Sequence, residues 1–175
     1  MDSKSLGLGS TSVDVVGAET DLAGVDFSHN DVLINGQSII EIGGAWDQAT
    51  DTTGDLVDKI NENVNGVTAS TVASQTATSV GTGVLVEGTD TLTIQIDKLD
   101  GTNTSISITG TDSMEELVDK LNTEGGGLIS ASINDEGKLN ISGENIEGFT
   151  LAAGDVAAAT GTLADKTASI ALASD

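Results

Sequence analysis

Two six-residue stretches, Leu56-Val57-Asp58-Lys59-Ile60-Asn61 and Leu117-Val118-Asp119-Lys120-Leu121-Asn122, repeat one pattern of apolar and polar positions, 61 positions apart. Apolar residues at i, i+1 and i+4 line one face of a helix. The stripe Leu56, Val57 and Ile60 predicts a helix over about residues 54–63, capped by Asp51 or Thr53 and stopped at Asn65-Gly66. The stripe Met114, Leu117, Val118 and Leu121 predicts a second helix over about 113–122. There Ser113 and Glu116 stand at capping-box spacing, and Gly125-Gly126-Gly127 ends the helix. Helices this short do not hold in water alone, so each stripe must pack on a sheet. An internal repeat of this kind identifies the building block of the chain.

Alternation with period two surrounds both helices. Asn35-Gly36 is a two-residue type I′ turn signal within residues 31–42, and it pairs Ile34 with Gln37 and Val32 with Ile39. Leu92, Ile94 and Ile96 share one face of a strand, and Ile106 and Ile108 share one face of the next. A two-residue Asp100-Gly101 turn would point these faces oppositely. A three-residue loop, Leu99-Asp100-Gly101, pairs Ile94 with Ile106 and Leu92 with Ile108, with Gly101 left-handed. The same solution, Asp135-Glu136-Gly137, pairs Ile133 with Leu139 and Ala131 with Ile141. Residues 143–152 add a strand with Phe149 and Leu151 in phase, and 168–173 a final strand.

Two regions carry weaker patterns. Residues 1–21 read as a linker, with Ser12-Val13-Asp14-Val15-Val16 a short edge strand within it. Residues 67–71 alternate as a strand, but the Ser/Thr/Ala-rich run from there to Gly83 reads as loop, followed by a strand at Val84-Leu85-Val86. The expected fold is α+β: short antiparallel strands and hairpins with two short helices, in two related repeats. The divisions are a linker or edge segment (1–21), a first subdomain (22–88), a second (89–153) and a C-terminal strand or linker (154–175), with strand exchange between the repeats left open.

Composition narrows the function. With 28 acidic and 6 basic residues the chain carries a net charge of -22, which argues against nucleic acid and anionic membrane as partners. Cysteine is absent, which removes disulfides, thiolate metal sites and cysteine nucleophiles. Proline is absent too, so Gly, Asn and Asp must make the turns. No stretch reads as a signal peptide or a membrane span. The expectation is an isolated chain that is soluble and monomeric.

Candidate chemistry is thin. Asp47, Asp51, Asp55 and Asp58 gather near one helix start, and Asp97, Asp100, Asp135 and Glu136 lie at turns. None matches a calcium-loop spacing, and solvated turns and caps account for them. His29 is the only histidine and lies in a turn-like context. No phosphate-binding loop or nucleophile elbow is present. Asn103-Thr104-Ser105 and Asn140-Ile141-Ser142 match the N-glycosylation pattern, but both lie in predicted strands. Trp46 and Phe149 read as core or cap residues rather than a ligand platform. The expectation is no catalytic residue, no metal site, no cofactor and no enzymatic activity.

The doubled pattern resembles a known motif. Val32-Leu33-Ile34-Asn35-Gly36, Leu56-Val57-Asp58-Lys59-Ile60-Asn61 and Gly66-Val67-Thr68-Ala69-Ser70 resemble the IN motif of bacterial flagellins, which also occurs in hook-associated and filament-cap proteins. A second copy runs from Ile106-Ser107-Ile108 to Leu139-Asn140-Ile141-Ser142, with Ile108-Thr109-Gly110 where the Ile-Asn-Gly turn would stand. The resemblance implies an outer, variable domain of an exported extracellular filament protein, without the long helical termini that build the filament core. It implies neighbouring filament subunits as partners, and O-glycans on Ser and Thr of residues 70–82 and 160–169. The alternatives are the outer part of a hook-associated or cap protein, and an adhesin or carbohydrate-binding module with Trp46 as its stacking platform.

Overall fold

A computed structural model describes residues 15–16, 24–152 and 156–174. The chain is α+β, with every paired strand antiparallel. Of the expected edge strand at 12–16, Val15–Val16 is a strand (β1), and Ser12, Val13 and Asp14 lie outside the described residues.

The N-terminal part is built from hairpins. β2 (Asp26–Ser28) pairs with β5 (Ala45–Asp47), and between them β3 (Leu33–Ile34) pairs with β4 (Gln37–Ser38). The turn is the two-residue form expected: Asn35 and Gly36 have φ of 52° and 76°, Ile34 faces Gln37, and Ile39 N donates to Val32 O. α1 (Thr53–Asn63) follows. Its cap is Thr52 rather than Asp51 or Thr53. The Thr52 hydroxyl accepts from Asp55 N while Asp55 accepts from Thr52 N, a complete capping box. Asp51 is instead used upstream, accepting from Asp47 N at 2.9 Å.

β6 (Val67–Thr76) is the largest departure from expectation. The run after Thr71 continues as strand, and β6 is the middle of a five-stranded sheet. β15 (Ser169–Ser174) lies on one side of it, with β1 beyond. On the other side come β12 (Leu139–Glu144) and β11 (Ser130–Ile133). Small residues make β6: Ala69, Thr71 and Ala73 are buried on alternate positions, and Ala77 is buried just past its end. Their size lets neighbouring layers close over the strand, and it also hides the strand from a reading based on hydropathy.

A four-stranded sheet stands beside it in the order β14 (Lys166–Thr167), β13 (Ile146–Ala152), β8 (Leu92–Lys98), β9 (Asn103–Ile108). The register is the predicted one: Leu92 faces Ile108 and Ile94 faces Ile106, with Gly101 at φ 76°. β11 and β12 likewise pair Ala131 with Ile141 and Ile133 with Leu139, with Gly137 at φ 77°. β7 (Val84–Leu85) pairs with β10 (Thr111–Asp112), just before α2 (Met114–Glu124).

Residues expected to be loop at the C-terminal side hold structure as well. α3 (Ala157–Thr160) lies against residues 78–83. Ser79 N donates to Gly161 O, Thr82 N to Ala158 O and Gly83 N to Ala159 O, all at 2.9 Å. Gly81 lies so close that a Cβ there would collide with Ala159 O.

Two hydrophobic clusters result among the described residues. The smaller gathers Ile39, Ile40, Trp46, Leu56, Val57, Ile60, Val64 and Ala69. The larger includes Leu92, Ile94, Leu117, Leu121, Ile141 and Phe149, together with Ala73 and Ala77. β6 therefore supplies residues to both.

Candidate functional site: a repeated helix and strand clamp

The feature that the two repeats share most closely is polar. Asn61 stands in the last turn of α1. Its Nδ2 donates to Ala69 O at 3.1 Å and its Oδ1 accepts from Ala69 N at 2.6 Å. Asn122 does the same from α2, donating to Ala131 O at 3.0 Å and accepting from Ala131 N at 2.7 Å. Only a side chain with an adjacent donor and acceptor can satisfy both groups of one residue, so the amide is required. Each clamp fixes the register of a strand against the helix that precedes it.

The helix starts correspond too. Ser113 caps α2 by accepting from Glu116 N at 3.2 Å. The return bond of the expected capping box shifts by one residue: Glu116 accepts from Asp112 N at 3.0 Å, not from Ser113 N. Glutamate is one methylene longer than Asp55 of α1, which gives it the reach. Lysines at matching positions diverge. Lys59 pairs with Glu41 at 3.5 Å, whereas Lys120 donates to the backbone carbonyls of Thr109 and Gly110 and pairs with Glu116 at 3.4 Å.

Residues 91–145 match the family model of the flagellin hook IN motif. The IN motif thus begins beside β8 and ends beyond β12, and it contains the β8–β9 hairpin, α2 and its clamp, and the β11–β12 hairpin. The first copy of the clamp, Asn61 with Ala69, lies outside the matched residues. No curated protein matches the chain at a significant level.

Several acidic residues serve the fold. A shallow cleft of ≈ 430 Å³ opens between the start of α1 and the β8–β9 turn, lined by Thr52, Gly54, Asp55, Asp58, Leu99 and Asp100. Asp55 accepts from the Thr52 N–H at 2.7 Å and from its hydroxyl at 2.8 Å, and these bonds hold its carboxyl below the ordinary 3.8. The Thr102 hydroxyl and N–H lower Asp100 in the same way. Carboxylates held ionised by donors they already own are poor proton donors. No group of three or more His, Asp or Glu side chains is placed to hold a metal among the described residues.

The remaining candidates are placed as follows. His29 Nδ1 lies 2.7 Å from Ile40 O and fastens the turn before β3 to the core edge. Trp46 is 1% exposed, stacks on Phe27 at 5.6 Å and donates its indole N–H to Thr52 O at 3.0 Å. It is therefore a core residue, and a buried ring presents no platform to a sugar. Phe149 is buried as well. The two glycosylation patterns fall in strands, Asn103 in β9 and Asn140 in β12. The serines and threonines expected to carry O-glycans at 70–82 and 160–169 sit largely in ordered structure: residues 70–76 in β6, Thr160 in α3, Thr167 in β14 and Ser169 in β15.

Proposed function

We propose that this chain is a structural, non-enzymatic outer domain of a flagellar filament protein, facing solvent outside the cell. The observation that carries the reading is the IN motif at 91–145, repeated in geometry by the Asn61 clamp of the first unit. The chemistry is in keeping with it. Carboxylates are spent on caps and turns, and the buried polar side chains all have hydrogen-bond partners among the described residues. A net charge of -22 keeps copies of the domain apart at low salt and hydrates a surface that must not stick to its neighbours. Within this proposal the partners are neighbouring subunits of the same filament, and exposed hydroxyls such as Ser74, Thr76 and Thr162 remain open to glycosylation.

The second reading is the outer part of a hook-associated or filament-cap protein, favoured by the fact that the matched motif takes its description from the hook as well as from flagellin. Antibodies raised against the folded chain separate the two. Gold label along the whole filament supports the first reading. Label confined to the hook junction or the tip supports the second, and flagella without label overturn both.

A further inference from the structure

The chain contains two Asn-Gly pairs, Asn35-Gly36 and Asn65-Gly66, and the structure treats them very differently. We propose that Asn35 is a site of spontaneous backbone cyclisation and deamidation, and that Gln37 protects Asn65 from the same reaction. In this chemistry the backbone nitrogen of the glycine attacks Cγ of the asparagine. A new C–N bond forms, the glycine nitrogen gives up its proton, and ammonia leaves with the side-chain nitrogen. The resulting succinimide is opened by water at either carbonyl, leaving aspartate or isoaspartate. No oxidant, reductant or enzyme is needed.

Glycine permits the attack because it brings no side chain against the incoming carbonyl. A Cβ built on Gly36 meets nothing within 4 Å, so the approach is open to water. Asn35 is exposed, and its side chain has no hydrogen-bond partner among the described residues. The β3–β4 ladder beneath it is two residues on each strand, short enough to open locally while the core stays folded. Opening frees rotation about the Asn35 Cα–C bond, which brings Gly36 N to Cγ.

Asn65 is held at three points by one side chain. Gln37 Oε1 accepts from Asn65 Nδ2 at 3.0 Å and from Asn65 N at 3.2 Å, while Gln37 Nε2 donates to Asn65 O at 3.3 Å. The first bond ties down the leaving nitrogen. The other two fix the peptide groups whose rotation the attack requires. Gln37 is itself the first residue of β4, directly after Gly36. Isoaspartate at position 35 lengthens the backbone inside a two-residue turn and disturbs β4, so the guard on Asn65 is released once Asn35 has reacted. The order is Asn35 first, Asn65 afterwards.

The test is incubation of the intact chain at mildly alkaline pH, with peptide mapping by mass spectrometry at intervals. A synthetic peptide of residues 31–41 serves as the reference. Conversion at Asn35, with conversion at Asn65 lagging severalfold, is expected. Gln37→Ala, checked for native circular dichroism, should raise the rate at Asn65 severalfold. Conversion of Asn65 as early as Asn35 overturns the proposal, as does an inert Asn35 over a period in which the peptide converts. An unchanged Asn65 rate in Gln37→Ala overturns the protecting role.

Discussion

The hydroxyl of Thr71 donates to the carbonyl of Ile146 at 2.7 Å, across 75 positions of chain, and Asn145 N donates back to Thr71 O at 2.9 Å. Thr71 is fully buried between Ala69, which belongs to the smaller core, and Ala73, which belongs to the larger. Asn145 and Ile146 form the corner where the chain leaves β12 in the five-stranded sheet and enters β13 in the four-stranded sheet. One threonine thus fastens that corner at the joint of the two cores. Thr71→Val keeps the shape and leaves Ile146 O without its donor. It should cost about 1–3 kcal/mol, the penalty of an unsatisfied buried acceptor. An unchanged urea midpoint would show that the bond carries no stability.

The two asparagine clamps are the physical content of the repeat. Asn61→Ala and Asn122→Ala each strip two hydrogen bonds from one strand residue, and each should destabilise by about 1–2 kcal/mol. The sites do not share a partner, so the double variant should show the sum of the two losses. Denaturant titration of the three variants checks this. A large effect at one site and none at the other would mean that the geometry repeats without its energetic role.

Glycines separate backbone strain from close packing. Gly101 has φ 76°, and a Cβ there meets only Thr52 Cγ2 at 3.5 Å, an ordinary contact. Gly101→Ala should therefore cost only the left-handed conformation, about 1 kcal/mol. At Gly81 a Cβ would press on the backbone of residues 159–161, which cannot yield as a side-chain tip can. Gly81→Ala should cost about 3 kcal/mol, the upper part of the range for overpacking. Thermal melts of the two variants should rank in that order. The reverse order would mean that the contact between residues 78–83 and α3 is not a fixed part of the fold.

The sign of one pH effect follows from the α1 cap. Asp55 binds its proton less tightly when folded than its ordinary 3.8, because Thr52 donates to the ionised form. Its contribution is present above that ordinary value and is lost as pH falls through the lower, folded one. Asp55→Asn should therefore be less stable than the parent at neutral pH, and the gap should narrow as pH drops below 3.8. Chemical denaturation of both proteins across that window measures it. A gap that stays constant with pH would contradict the role of the charge.

The hairpins were legible because large apolar residues alternate against clear turn signals. Ile94 opposite Ile106 and Ala131 opposite Ile141 follow once Gly101 and Gly137 are placed left-handed. β6 was legible only to Thr71. Its buried face continues with Ala73, and Ala77 follows just past its end, small residues set among serines and threonines with no large apolar side chain to mark the strand. Burial there is set by partners distant in sequence, β12 and β15, which no local pattern reveals. The α3 contact is hidden for a related reason, since it rests on backbone groups and on close approach at Gly81 and Gly161. The repeated Asn was visible as a letter in both copies. Its purpose needed the strand residue eight or nine positions on, a spacing that the two copies do not share.

We propose that this chain is an outer structural domain and not part of the machinery that polymerises or catalyses. The most direct test replaces residues 24–174 with a short Gly-Ser linker within the filament protein to which the proposed function assigns them, and measures filament diameter by electron microscopy. Filaments that still assemble and are thinner than the parent's are the predicted result. Failure to assemble, or filaments of unchanged diameter, would contradict it.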